Sequence, residues 1–337
     1  MKGLIESVRR RSAAIVRELT GPDATELILR LTLVLLLLRP PTHWTSFPLV
    51  VAAASIGLLS RTALASPMTW LVLTIATGWA VVHDWPHADN HHYLLAYWCL
   101  SVFLALLSTA PKEAMAHSGR LLIGLAFAFA VLWKGVLSPD YLDGRFFRVR
   151  LQTDGRFAAA TKLIGGLSDE VYDNNRVILG PDLPSSPDSG TDWEDFAAAR
   201  LEADYSSVAH KESTGRVSTS LALPGPAPTA YRETQRFAWF WKASTWYVLL
   251  IEAAIAATFL IPLRALAGFR DSLLLLFAVS IYAFAPVDGF GWLLLIMGLA
   301  QAPELKKVRL AYVVTFILVA FLAAVPWSER LLILVRT

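Results

Sequence analysis

The chain is built around runs of apolar residues long enough to cross a bilayer. Candidates occupy 24–40, 44–60, 67–83, 91–109, 120–137, 239–262, 270–287, 289–303 and 308–326. A spanning helix needs about 20 such residues, with roughly 17–25 the usual range. Inside lipid every backbone N–H and C=O must be paired within the protein, which leaves only helices and closed barrels. These runs are apolar on all sides rather than alternating. The expected fold is therefore all-α, a polytopic membrane helical bundle of about nine spans. The eighth run, GFGWLLLIMGLAQAP, is short and glycine-containing, so it is expected to be re-entrant or tightly held by its neighbours. The first is not a cleaved signal, since LTLVLLLL ends in Arg39-Pro40-Pro41 rather than at small residues.

The polar residues are segregated. Only 17% of the chain is charged, against roughly 25% in an ordinary globular domain. Residues 138–237 hold 11 basic and 15 acidic groups, a net charge of −4. The division follows: an amino-terminal cytoplasmic segment 1–23, spans one to five within 24–137, an extracytoplasmic insertion at 138–237, spans six to nine within 238–326, and a short tail 327–337. Orientation comes from the basic flanks. With Lys2, Arg9, Arg10, Arg11 and Arg17 inside, Arg61, Lys112, Arg120, Arg264, Arg270, Lys306, Lys307 and Arg309 also fall inside. The insertion and carboxyl terminus then lie outside the cell membrane, with Asp84, Asp89 and Asp288. Residues 3–20 form an amphipathic, arginine-rich stretch that reads as a topology signal or as a surface-bound helix.

The insertion is expected to be partly folded and of mixed structure. FFRVRLQTDGRF alternates apolar and charged residues before Asp154-Gly155, the pattern of a short strand or hairpin. Residues 157–167 suit a small helix. Thr191 and Glu194 make a capping box for another, and LPSSPDSG (183–190) and PGPAP (224–228) are connectors. One cysteine, Cys99, excludes a disulfide framework or a cysteine metal site within the chain. A formal charge of +3 gives no reason to expect nucleic acid. No Walker loop, dinucleotide glycine fingerprint, HExxH or GxSxG is present.

Polar groups at membrane depth are costly and call for an explanation. The densest set is HDWPHADNHHYL, residues 83–94, between the third and fourth spans on the outer side. His83, His87 and His91 recur every four residues, but only a continuous helix would align them, and Pro86 interrupts one. No metal site is expected on that spacing. The ordinary alternative is an interfacial loop anchored by Trp79 and Trp85. The second feature is Lys134, near the outer end of the fifth span. In low-dielectric surroundings such an amine can serve as a base, while a snorkelling lysine needs no function.

Asn90-His91-His92-Tyr93-Leu94, opening a span, resembles the NHxYL signature of the horizontally transferred transmembrane (HTTM) domain of vitamin K-dependent gamma-carboxylases and their bacterial relatives. In that family a lysine-bearing span leads into an acidic and aromatic stretch ending in glycine. SPDYLDG (138–144) follows Lys134 in the same way. The segment 290–305, FGWLLLIMGLAQAPEL, is similar to the family's later Phe/Gly/Trp element. Glu252 stands where the family places a membrane carboxylate. The resemblance runs over about residues 25–305. It departs in three ways: Lys134 lies about two residues from the expected position, a histidine segment before the late aromatic element is missing, and the large carboxy-terminal domain has no counterpart here.

The resemblance implies an enzyme in which Lys134 deprotonates a reduced isoprenoid quinone. Oxygenation then makes a strong base in a dry pocket, an Asn90–His91 pair orients the anion, and Tyr93, Glu252 and Asp89 support. Its substrate is the quinone itself or an exported peptide, with a partner protein at 138–237 as the other expected association. A second function keeps the same groups as interhelical glue in a non-catalytic scaffold or an accessory to peptide maturation and export. A proton-coupled transporter using Glu252 and Asp271 ranks last, because no duplicated half with broken helices is visible.

Overall fold

The structure, a computed structural model, describes residues 24–41, 43–85, 88–179, 231–284, 289–302 and 306–324. The amphipathic segment 3–20, Pro86, His87, Asp288, the capping box at Thr191 and Glu194, both connectors and the tail at 327–337 lie outside these residues.

Each apolar run carries a helix: α1 (Ala24–Leu38), α2 (Ser46–Leu59), α4 (Pro67–His83), α5 (Asn90–Leu107) and α6 (Pro111–Leu132) before the insertion. A short turn, α3 (Arg61–Leu64), links α2 to α4. Five residues, Trp133–Leu137, extend α6 as a π-helical turn. Three helices are long and apolar enough to cross a membrane by length and composition: α5, α6 with its extension to Leu137, and Gln235–Leu260 after the insertion. At 27 residues, extended α6 measures ~40 Å, more than the ~30 Å hydrocarbon layer. Its first turns, with Lys112, Glu113, His117 and Arg120, therefore have room to stand outside the apolar region.

The described part of the insertion is helical: α7 (Pro139–Leu142), α8 (Arg145–Thr153), a 3-10 turn at Gly155–Phe157, α9 (Ala158–Leu163) and α10 (Asp169–Leu179). This corrects the strand expected in FFRVRLQT, and with it the mixed character expected of the insertion, as far as the described residues go. Phe147 and Leu151, four apart, are both buried, so the helical period places them on one inward face. Among the described residues the apparent alternation has no partner strand to make it a ladder. The chain returns at 231–234 and is clamped there. Asn175 Nδ2 donates to Gln152 Oε1 (2.7 Å) and to the Arg232 carbonyl (2.6 Å), and Gln152 Nε2 donates to Tyr231 Oη (3.0 Å). Thr234 Oγ1 donates to the Gly165 carbonyl (2.8 Å) and caps the next helix by accepting from Phe237 N.

After the insertion come α11 (Gln235–Leu260), a 3-10 turn (Arg264–Leu266), α12 (Ala267–Phe284), α13 (Phe290–Gln301) and α14 (Lys306–Ala324). The eighth apolar run, α13, proves to be the helix its neighbours constrain. Every residue from Gly291 to Ala300 is buried, and α1, α6, α12 and α14 all pack on it. A helix apolar on every side belongs at the axis of a bundle. At 12 residues it is only ~18 Å long.

Between lipid-exposed helices the hydrophobic effect supplies little, so small residues and interhelical hydrogen bonds set the packing. A methyl on Gly119 would sit 2.8 Å from the Met297 carbonyl oxygen, and one on Gly291 would collide with the Tyr282 ring. Trp98 Nε1 donates to Thr32 Oγ1 (3.1 Å), tying α5 to α1, and Tyr247 Oη donates to Ser280 Oγ (2.6 Å), tying α11 to α12.

Candidate functional site

Helices α6 and α11 flank the insertion and pack along each other. Gly124 lies against Phe259 and Leu260. Ten residues further along α6, ~15 Å at the α-helical rise, Lys134 Nζ meets Glu252 Oε1 at 2.6 Å. The pair is largely enclosed: the Glu252 side chain is 6% exposed and that of Lys134 24%. Val248, Leu249, Ile251, Ile255 and Ala256 surround Glu252 along α11. Its second oxygen, Oε2, is buried and has no hydrogen-bond partner among the described residues.

Two local features put the amine there. The π-helical turn Trp133–Leu137 rotates its residues relative to a continued α-helix, a distortion common at functional sites. Pro139 then opens α7, which carries Tyr141 back over the pair. The Tyr141 ring centroid is 5.1 Å from Lys134 Nζ, within cation–π reach. Burial pushes the Tyr141 hydroxyl above the ordinary phenol value, and the neighbouring Glu252 carboxylate pushes it the same way. Tyr141 stacks on Phe146 and meets Phe147 edge-on, at 5.0 and 5.5 Å between centroids. The whole forms an aromatic cap over a buried ion pair.

Gly144, which ends the SPDYLDG stretch, has a physical reason to be glycine. Its φ is +80°, and a Cβ would run into the Trp241 ring. Trp241, Lys242, Thr245 and Trp246 line a cavity of about 190 Å³ with Leu142, Asp143 and Gly144. Thr245 precedes Glu252 by seven residues, two helical turns on the same face of α11. The cavity therefore lies on the insertion side of the ion pair.

The histidine segment forms a separate cluster. Asp89 occupies the N-cap of α5, but its side chain makes no capping hydrogen bond. His91 Nε2 lies 3.9 Å from Asp89 Oδ2, and the His91 and His92 rings are 4.3 Å apart. Asn90 is exposed and Tyr93 half-buried. His43 and His83 form a second ring pair at 3.8 Å.

Of the residues singled out from the sequence, the structure joins Lys134 to Glu252 and groups Asp89 with His91. Among the described residues it records no contact between Lys134 and His91, Asn90 or Tyr93. Sequence reasoning passed over Tyr141 and Trp241. Tyr141 lies seven residues beyond Lys134 inside a quoted motif, and the proline between them is the signal that the chain turns back. A comparison with protein-family models, curated proteins and solved structures finds no match to this chain.

Proposed function

We propose that this chain is a multi-pass protein of the cell membrane, related to the gamma-carboxylase-type HTTM membrane domain, with Lys134 and Glu252 as its working centre. Nine spans with the amino terminus inside and the insertion outside accord with the nine apolar runs and with the basic flanks. The observation that carries the reading is the 2.6 Å Lys134–Glu252 pair. A buried ion pair is a poor stabilising device compared with apolar side chains of the same volume, and ionisable groups at membrane depth mark function by default.

The ligand class is a reduced isoprenoid quinone, which reaches such a site through lipid and supplies an acidic hydroxyl. The residues fit it in one respect: Glu252 Oε2 is a buried acceptor still open beside the amine. The chain's part is to place a hydroxyl between Oε2 and Lys134 Nζ and to exclude water with Tyr141 and its aromatic neighbours. A proton can pass between Lys134 and Glu252 along the existing hydrogen bond without moving a heavy atom. The family pattern gives the orienting of the resulting anion to Asn90 and His91 with Tyr93; among the described residues none of the three contacts Lys134, and the Lys134–Glu252 centre does without them. An exported peptide or partner protein docks at 138–237.

The test is labelling of the purified chain by a photoreactive reduced-quinone analogue. Wild type is expected to label near α6 and α11, and Lys134→Met and Glu252→Gln to lose most of the label while still inserting in membranes. Undiminished labelling in both variants overturns the reading. A non-catalytic scaffold is the second reading, favoured by the way this one pair bridges the two helices that bracket the insertion. Under it both variants melt earlier and wild type takes up no specific label.

A further inference from the structure

The end of the molecule that carries the histidines holds a chemistry the lysine centre does not use. Asp89, His91 and His92 each offer one ligand atom, and these atoms all lie within 4.8 Å of one another. We propose that Asp89, His91 and His92 form an exchangeable site for a divalent first-row transition-metal ion at the outer end of α5.

The spacing considered from the sequence, His83, His87 and His91, needed a helix that Pro86 interrupts. Among the described residues the structure groups a different trio, built at the first turn of α5. His91 and His92 are the second and third residues after the N-cap of that helix, so their side chains leave it on adjacent faces and their rings tilt by 53° rather than stacking flat. Asp89 is the N-cap residue with extended backbone, φ −61° and ψ 143°. An aspartate there ordinarily spends its carboxylate on the helix N–H groups. This one makes no such bond, and instead lies 3.9 Å from the His91 ring nitrogen through Oδ2. That carboxylate, which makes no capping bond, completes the donor set.

Bonds of about 2.0–2.2 Å to imidazole nitrogen and carboxylate oxygen put ligand atoms of a tetrahedral ion roughly 3.4 Å apart. From the present separations, all within 4.8 Å, the ligand atoms have to draw together by up to about 1.4 Å. Two imidazoles and one carboxylate suit zinc, iron, cobalt, nickel or copper and disfavour calcium and magnesium, which demand mostly oxygen. Three protein ligands leave at least one position open. His92 also lines a cavity of about 10 Å³ with Asp84 and Thr77, room for about one water-sized ligand next to a carboxylate. Two features oppose a cation: the positive end of the helix dipole and the Arg39 charge that acts on His91. They set the affinity below that of a closed structural site and make the ion exchangeable.

The inference does not rest on the Lys134–Glu252 reading, and a single experiment separates the two. The full chain, purified in detergent and stripped with chelator, is titrated with ZnCl2 by calorimetry, and with CoCl2 for its visible spectrum. One ion per chain is expected, with a Co2+ spectrum of low coordination number. His92→Ala and Asp89→Asn should each weaken Zn2+ by at least ~100-fold, since even outer-shell changes cost about 10–100-fold. His117→Ala, at the far end of α6, and Lys134→Met should leave the titration unchanged. Circular dichroism and melting of each variant report whether it has folded, and Asp89→Glu, which keeps the carboxylate, should retain most of the binding. Failure of the wild type to take up one ion, or binding unaltered in both His92→Ala and Asp89→Asn, overturns the proposal.

Discussion

Among the described residues two carboxylates are buried in this bundle, Glu252 and Asp271, and they are kept there by different means. Asp271 on α12 accepts hydrogen bonds from the Tyr312 hydroxyl (2.8 Å) and from the Gln301 amide, drawing α13 and α14 onto α12. Arg270 next to it donates to Gln301 Oε1 (3.1 Å) and lies over the Phe259 ring. Among the described residues Glu252 has one hydrogen-bond partner, the terminal amine of a flexible side chain, and an oxygen with none. The first arrangement is a knot of three helices in which two neutral donors share one acceptor. The second bridges two helices and leaves capacity unused. Each arrangement leaves one buried atom without a partner among the described residues, Arg270 Nε in the first and Glu252 Oε2 in the second; only in the second is it the free oxygen of a carboxylate whose other oxygen meets a mobile amine, and that has the form of a site. This difference also removes the attraction of treating Glu252 and Asp271 as successive stations of a proton path, since Asp271 is already committed.

The comparison can be broken most directly at Glu252. Glu252→Ala leaves an ammonium without its counter-charge, a change that costs about 3–5 kcal/mol where the remaining charge stays buried. The lower end is expected because Lys134 sits close enough to the helix end to turn outward. The double variant Lys134→Met/Glu252→Leu should recover most of that loss in thermal unfolding in detergent, yet still fail to take the quinone label. A double variant that is stable and labels normally would make the pair mere packing. Asp271→Ala strands the Tyr312 and Gln301 donors, each worth roughly 1–3 kcal/mol. A total of about 2–3 kcal/mol is expected, with labelling per folded molecule unaffected.

The axis of the bundle gives a control that involves no charge. Gly119→Ala pushes a methyl against a backbone carbonyl that cannot rotate away. Overpacking of this kind costs typically 1–3 kcal/mol, and about 1–2 kcal/mol is expected in the same melting assay. Gly78→Ala, where a Cβ meets nothing within 4 Å, should be neutral or slightly stabilising.

The smallest effect belongs to the insertion. Burial by itself would raise the Asp154 carboxyl, but the hydrogen bonds and charge of Arg156 outweigh it and hold the group below its ordinary value. A carboxyl depressed in the folded state contributes stability that is fully present above the unfolded value of about 3.9. That contribution is lost as pH falls through the lower folded value. Wild type should therefore lose slightly more stability than Asp154→Asn on acidification from about pH 5 to pH 2, followed by near-ultraviolet circular dichroism.

The positions of the helices were legible because the constraint behind them is local. A run of apolar residues in lipid has no way to satisfy its backbone other than by coiling, so α1, α2, α4, α5 and α11–α14 fall within a few residues of the runs that announced them. The exceptions mark where that constraint weakens. The start of α6 lies nine residues before the expected span because Lys112, Glu113, His117 and Arg120 belong to a helix but not to an apolar one. In α8, six alternating residues fit a strand as well as a helix until Phe147 and Leu151 find the same core. Glu252 and Lys134 could each be picked out as costly groups at membrane depth. Their pairing across 118 positions could not, since it depends on how α6 and α11 cross.

The sequence by itself determined that this is a helical membrane protein, where its helices lie, and which few ionisable groups it carries into apolar surroundings. Those follow from transfer free energies and backbone hydrogen bonding, both of which act on each segment alone. Only the tertiary structure decided that α13 is the axis, that the amine meets a carboxylate while the imidazoles gather separately with Asp89, and that Tyr141 closes over the pair. Those outcomes rest on interhelical close approach at glycines and on a π-helical turn, whose consequences exist only once neighbouring helices are in place.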